Sequence, residues 1–193
     1  MAVNFWLTDE DSDLSGYLRA KLGTRSDAPS LVRAVTTTVA GPTAGVQATR
    51  SASGTALAWI TDPLDGTDLT AAAWTLHLWA NESAAAVNAA LRLQVFQWTN
   101  AEAGTALLDN NAGTELATAA RDEAITTAVA AVTTMADGDR LVFKVLFDDA
   151  TAVSMAAGTA TLSYNGGRPW AEGDSYVTCP DTLALTAATP TAT

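Results

Sequence analysis

Trp74-Thr75-Leu76-His77-Leu78-Trp79-Ala80 alternates without a break. Trp74, Leu76, Leu78 and Ala80 fall on one face, Thr75, His77 and Trp79 on the other. A period of two marks a half-buried strand, because successive side chains leave a pleated backbone on opposite sides. Residues 89–98 (AALRLQVFQW) do likewise, with Leu91, Leu93 and Val95 opposed to Arg92, Gln94, Phe96 and Trp98. Residues 140–147 (RLVFKVLF) form a third such run, preceded by the turn signal Ala136-Asp137-Gly138-Asp139.

Working outward, shorter β-rich runs occupy residues 3–8, 14–22, 32–39, 57–61, 159–164, 174–178 and 183–186. Asp62-Pro63, Asp65-Gly66 and Asn165-Gly166-Gly167 punctuate them as turns. Residues 100–123 are ambiguous: Gly104, Asn110-Asn111 and Gly113 read as turns, and 115–123 (ELATAARDE) fits a helical turn or two. About eight to ten strands with little helix predict an all-β fold, a two-sheet antiparallel sandwich of jelly-roll type with extended terminal arms. The expected organisation is one domain over residues 1–186, its first 13 residues an arm or a strand. Residues 187–193 (AATPTAT) follow as an extended or flexible tail.

Bulk properties narrow the function. Of 193 residues, 48% are hydrophobic and 16% charged, which suits a packed domain and not a disordered chain. The formal charge of −11 repels phosphate backbones, so nucleic acid is not an expected partner. No apolar run approaches the roughly 18 residues of a membrane span, and no export signal opens the chain, so no membrane partner is expected. The one cysteine, Cys179, has no internal partner and reads as an inert thiol.

Titratable chemistry is sparse. His77 is the one imidazole, and it sits mid-strand, where catalytic groups are uncommon. Asp9-Glu10-Asp11-Ser12-Asp13 resembles the start of a calcium loop. Positions six and twelve, which need Gly and Glu, hold Leu14 and Ala20, so a solvated acidic turn is favoured over a looser site on Asp9, Asp11 and Asp13. Asp62, Asp65, Asp68, Glu82, Asp148 and Asp149 lie near strand ends, where a glycosidase pair needs only two carboxylates, but acids are also common turn formers there. The sequence therefore predicts no catalytic residue, no cofactor, no metal and no enzyme. Its large aromatics read as core or interface anchors, with Trp6, Trp79, Trp98 and the loop residue Trp170 as candidate interface residues. Trp79 and Trp98 also read as a sugar-stacking platform, a reading that core or interface burial outweighs.

The chain resembles β-sandwich structural proteins of tailed bacteriophages. The likeness lies in Phe5-Trp6-Leu7-Thr8, Leu57-Ala58-Trp59-Ile60-Thr61-Asp62-Pro63-Leu64, Trp74 to Ser83, Gly138-Asp139-Arg140-Leu141-Val142-Phe143-Lys144-Val145, Leu162-Ser163-Tyr164-Asn165-Gly166 and Gly173-Asp174-Ser175-Tyr176-Val177. These are strand and turn patterns that carry no functional site. The resemblance implies a virion component, made in the host cytoplasm and placed on the outer surface of the particle. The first expectation is a capsid decoration (cement) protein that binds the major capsid protein or other virion proteins and itself, as a homo-oligomer such as a trimer. The alternative is a tail- or fibre-associated carbohydrate-binding module for host attachment.

Overall fold

Fourteen strands account for nearly all the regular structure in the computed structural model, which describes residues 2–23, 33–41, 45–47, 56–99, 104–110, 114–128, 131–150, 155–164 and 175–186. In chain order they are β1 (Val3–Asp11), β2 (Leu18–Leu22), β3 (Arg33–Gly41), β4 (Val46–Gln47), β5 (Ala58–Thr61), β6 (Thr67–Leu69) and β7 (Ala73–Glu82). A 3-10 turn (Ala85–Val87) then leads to β8 (Ala89–Trp98), β9 (Gly104–Asn110), β10 (Arg121–Ala128), β11 (Thr133–Met135), β12 (Arg140–Asp149), β13 (Met155–Tyr164) and β14 (Tyr176–Cys179). The all-β reading holds.

Hydrogen bonds link twelve strands into one sheet, ten of them along the path β3-β13-β7-β14-β1-β2-β5-β12-β8-β9, with β10 beside β7 and β4 beside β12; β6 and β11 form a separate pair. Laid flat, β7 and β12 would stand about 24 Å apart, five inter-strand spacings along that path. Yet Trp74 on β7 and Phe143 on β12 have ring centroids 6.4 Å apart. Trp59 on β5 and Tyr164 on β13 likewise meet edge to face at 5.3 Å. The sheet is thus folded onto itself into two layers, with the aromatics of one packed on those of the other.

The alternation read from the sequence sets which side faces in. Trp74, Leu76, Leu78 and Ala80 are buried, as are Leu91, Leu93 and Val95 on β8, and all join one core cluster. Trp59 and Trp74 are fully enclosed, and each such large apolar side chain contributes about 1.5–3 kcal/mol by its burial. The Trp59 indole also donates to the Thr8 carbonyl at 2.9 Å, tying β5 to β1.

Three expectations change. The sandwich is not wholly antiparallel: β2 and β5 run parallel, in the register Leu18↔Trp59, Arg19↔Ile60 and Ala20↔Thr61. No hairpin joins these strands, so nothing forces the antiparallel sense, and Arg19 clasps Asp62 in a two-pronged ion pair beside the ladder. The helical reading of 115–123 fails as well. Arg121 begins β10, which pairs with β7 from Arg121↔Ala80 to Ala128↔Ala73 and buries Ile125. An Ala/Thr-rich segment has little preference of its own, so the waiting edge of β7 decides. Finally, Val3–Asp11 takes the strand option over the arm, seated between β14 and β2. The tail 187–193 lies outside the described residues.

Candidate functional site

On β12 the inward row is Leu141, Phe143, Val145 and Phe147, all buried in the core cluster. The opposite row carries Arg140, Val142, Lys144, Leu146 and Asp148. Its neighbours across the β8 ladder are Trp98 beside Arg140, Phe96 beside Val142, Gln94 beside Lys144 and Arg92 beside Leu146. This outer face is not left bare. Val142 and Leu146 are 1% and 7% exposed, because two pieces of chain lie over its ends.

One cover is the turn between β1 and β2. Arg140 donates from both terminal nitrogens to Asp13, at 2.7 and 2.6 Å, and from Nη1 to the Thr61 carbonyl at 3.1 Å. The guanidinium holds the Asp13 carboxyl below its ordinary range, chiefly by this hydrogen bond. Ser12 takes the Leu14 N–H on its hydroxyl, and Gly16 turns the chain with φ +91°. Tyr17 is thereby set against Trp98, edge to face at 5.5 Å. The second cover is β4. Gly45 lies so close to Leu146 that a Cβ there would fall 2.9 Å from Leu146 Cδ2, and Gln47 donates to the Leu57 carbonyl at 3.0 Å.

A groove remains between the covers. It consists of two adjoining hollows of about 210 Å³ and 290 Å³ that share Tyr17 and Lys144. Phe96, Trp98, Val142 and Gly104 line the first; Ser15, Gly16, Gln47, Ala56 and Ala58 line the second. Lys144 reaches diagonally over the Phe96 ring, its Nζ 4.8 Å from the centroid, a cation–π contact. Aromatic side, polar amide, ammonium and hydroxyls thus converge on one half-buried trough with a rigid floor.

The other residues of interest fall elsewhere. Trp6, Tyr176 and His77 stand directly across from one another on β1, β14 and β7, forming a row on the outer face of the other layer. Tyr176 lies 4.9 Å from Trp6 and 4.6 Å from His77, the latter pair stacked. Trp6 Nε1 donates to the Gly23 carbonyl at 2.8 Å, and His77 Nδ1 lies 3.4 Å from Asp122. Trp79 is on this same face, so it shares no platform with Trp98, which belongs to the opposite layer. Trp170 lies outside the described residues.

Several of the scattered acids are already engaged. Asp62 meets Arg19, Asp148 meets Arg92 at 2.8 Å, and Asp68 accepts from Thr134 at 2.7 Å. Asp9 meets Arg33, as Asp13 meets Arg140. Among the described residues no three His, Cys, Asp or Glu side chains gather where an ion could sit. Glu82, 1% exposed, accepts the Ala89 N–H at 3.0 Å with Oε2, and its Oε1 has no partner; burial raises its pKa above the usual value. Burial also pushes the Cys179 thiol up to about 12, far from a reactive thiolate.

Sequence reasoning missed this groove. It placed Trp98 as a possible contact but had no means of finding Tyr17, Gln47 or Lys144 as its neighbours.

The sequence matches no protein-family model and no curated protein. Solved structures share the fold. A CocE/NonD family hydrolase from Staphylococcus aureus aligns with a TM-score of 0.59 and 7% identity, over 93% of this chain and 36% of that one. An aminopeptidase from a marine sediment Thaumarchaeota archaeon aligns at 0.55 and 12% identity, over 95% and 37%. The chain therefore spans little more than a third of these proteins. The expectation that it stands apart from enzymes is overturned by these neighbours: the same sandwich occupies a large segment of hydrolytic chains.

Proposed function

We propose that this chain is a carbohydrate-binding β-sandwich module and that the groove between Tyr17, Trp98, Lys144 and Gln47 is its ligand site. One observation carries the reading: three half-buried aromatic rings and the polar side chains of Lys144, Gln47 and Ser15 share a trough on a sheet floor. Sugar rings present apolar C–H faces and polar rims, and a trough of this make-up meets both. The hydrolases that share the fold lend it the shape of a module within a larger hydrolytic chain; their substrates are not carried over.

The test is a glycan array probed with the intact chain, its Trp98→Ala and Tyr17→Ala variants, and Trp6→Ala as an off-site control. The reading expects at least one glycan to bind, with about tenfold or greater loss in both groove variants and little change in the control. Equal binding by all four proteins would refute it.

A place on a phage tail or fibre suits such a module and forms part of the proposal. Head decoration is the less favoured position. Among the described residues only Val132 and Leu185 are large hydrophobics well exposed to solvent, which offers a shell partner little apolar surface. Copy number per purified particle separates the two, a handful for a tail and hundreds for a head.

A further inference from the structure

We propose that the groove selects glycans bearing a carboxylate and that Lys144 is the residue that reads the charge. The inference rests on the groove being a carbohydrate site and adds the class of sugar. Its basis is how this chain distributes its few cations. Acids outnumber bases 21 to 10, so a basic side chain has many carboxylates to choose from. Six of the seven described ones do choose. Arg19 pairs with Asp62, Lys21 with Glu10 and Arg33 with Asp9; Arg92 pairs with Asp109 and Asp148, Arg121 with Glu123 and Arg140 with Asp13.

Lys144 is the exception. Among the described residues no carboxylate lies within ion-pair reach of it, and its one charge contact is the Phe96 ring. It is half-buried in the middle of β12, on the wall common to both hollows. Holding an ammonium there without a counter-ion costs desolvation that an aliphatic side chain would avoid, and Val142 and Leu146 on the same row show that apolar residues fit this face. The remaining groove side chains (Tyr17, Phe96, Trp98, Gln47, Ser15) are neutral. Among the described residues, an anionic group entering the trough therefore meets one cation and no acid in its lining, while the acidic surface outside disfavours anions that cannot also stack on the rings.

The experiment is calorimetric titration with paired probes: hexagalacturonate, a hyaluronan hexasaccharide and an alginate hexamer, each against its fully methyl-esterified form. The esters keep ring shape and replace each charge with a neutral methyl ester. The proposal expects at least one acid to bind about tenfold or more tightly than its ester. Lys144→Met should weaken the acid by about tenfold more than it weakens the ester, with Lys144→Arg restoring most of the preference. Melting temperatures of both variants establish that they are folded. If neutral glycans and esters bind as well as the acids, or if the preference survives in Lys144→Met, charge selection is overturned and the carbohydrate site stands. If neither these probes nor the array gives any binding, both readings fall together.

Discussion

Arg92→Leu should destabilise the domain far more than a surface substitution does. Arg92 joins Asp109, at 2.6 and 2.7 Å, to Asp148, at 2.8 Å. The two partners differ in setting. The Asp109 side chain is 42% exposed, so its share is about 0–1 kcal/mol. The Asp148 side chain is 4% exposed, and without Arg92 it keeps, among the described residues, only the Asp149 N–H at 2.9 Å. Stranding a buried carboxylate costs about 3–5 kcal/mol, and the surviving hydrogen bond places this case near the lower end. For a chain of this length about 3 kcal/mol corresponds to a melting temperature lower by roughly 6–12 °C. Calorimetry at pH 7 measures it. Arg92→Leu combined with Asp148→Leu should recover at least half the loss, because the charge left without its partner is gone. The Arg92 hydrogen bond holds the Asp109 carboxyl below its ordinary value of 3.8. Its contribution is thus present above that value in the wild type and fades as pH falls through the lowered pKa. The deficit of Arg92→Leu should therefore shrink toward pH 3. A loss below about 1 kcal/mol, or a double variant no better than the single one, would refute the reasoning.

Glu82→Gln should act in the opposite pH direction. A carboxyl whose folded pKa is raised above 4.5 binds its proton more tightly in the fold, so the penalty is absent well below that value and grows as pH rises through the folded pKa. The variant should melt higher than wild type at pH 8 and alongside it at pH 3.5; an equal gain at both pH values would show that charge is not the cause. Leu78→Asp should unfold the domain, since Leu78 is fully buried within the hydrophobic core cluster; normal far-ultraviolet dichroism and melting would show the β7 phase to be wrong. Asp13→Asn should leave the core intact, lowering stability by about 1 kcal/mol, but weaken glycan binding several-fold by loosening the turn that carries Tyr17. Binding equal to wild type would detach Tyr17 from the site.

The fold was legible wherever one strand face was dry and the other wet. β7 and the inner row of β8 were placed residue by residue from alternation alone. β12 was harder to read fully: Val142 and Leu146 share the Lys144 row, and their burial depends on covers contributed by β4 and by the Asp13–Tyr17 turn. Nothing local announces those covers. Arg140 and Asp13 are 127 residues apart in sequence, and only their meeting in space carries Tyr17 to Trp98. The one signal available was a lone lysine between two apolar residues on a face rimmed by Phe96 and Trp98. The helical reading of 115–123 failed for a related reason, since Ala and Thr leave the choice to the edge of β7.

Indole N–H resonances give the most direct view of where ligand binds. With a glycan identified by the array, titration into ¹⁵N-labelled protein should move the Trp98 indole signal in a saturable manner, and Tyr17→Ala should abolish the shift. The enclosed Trp59 and Trp74 signals should stay in place, along with that of Trp6 on the far layer. A shift confined to Trp6 or Trp79, or no shift at saturating glycan, would contradict the assignment of the groove.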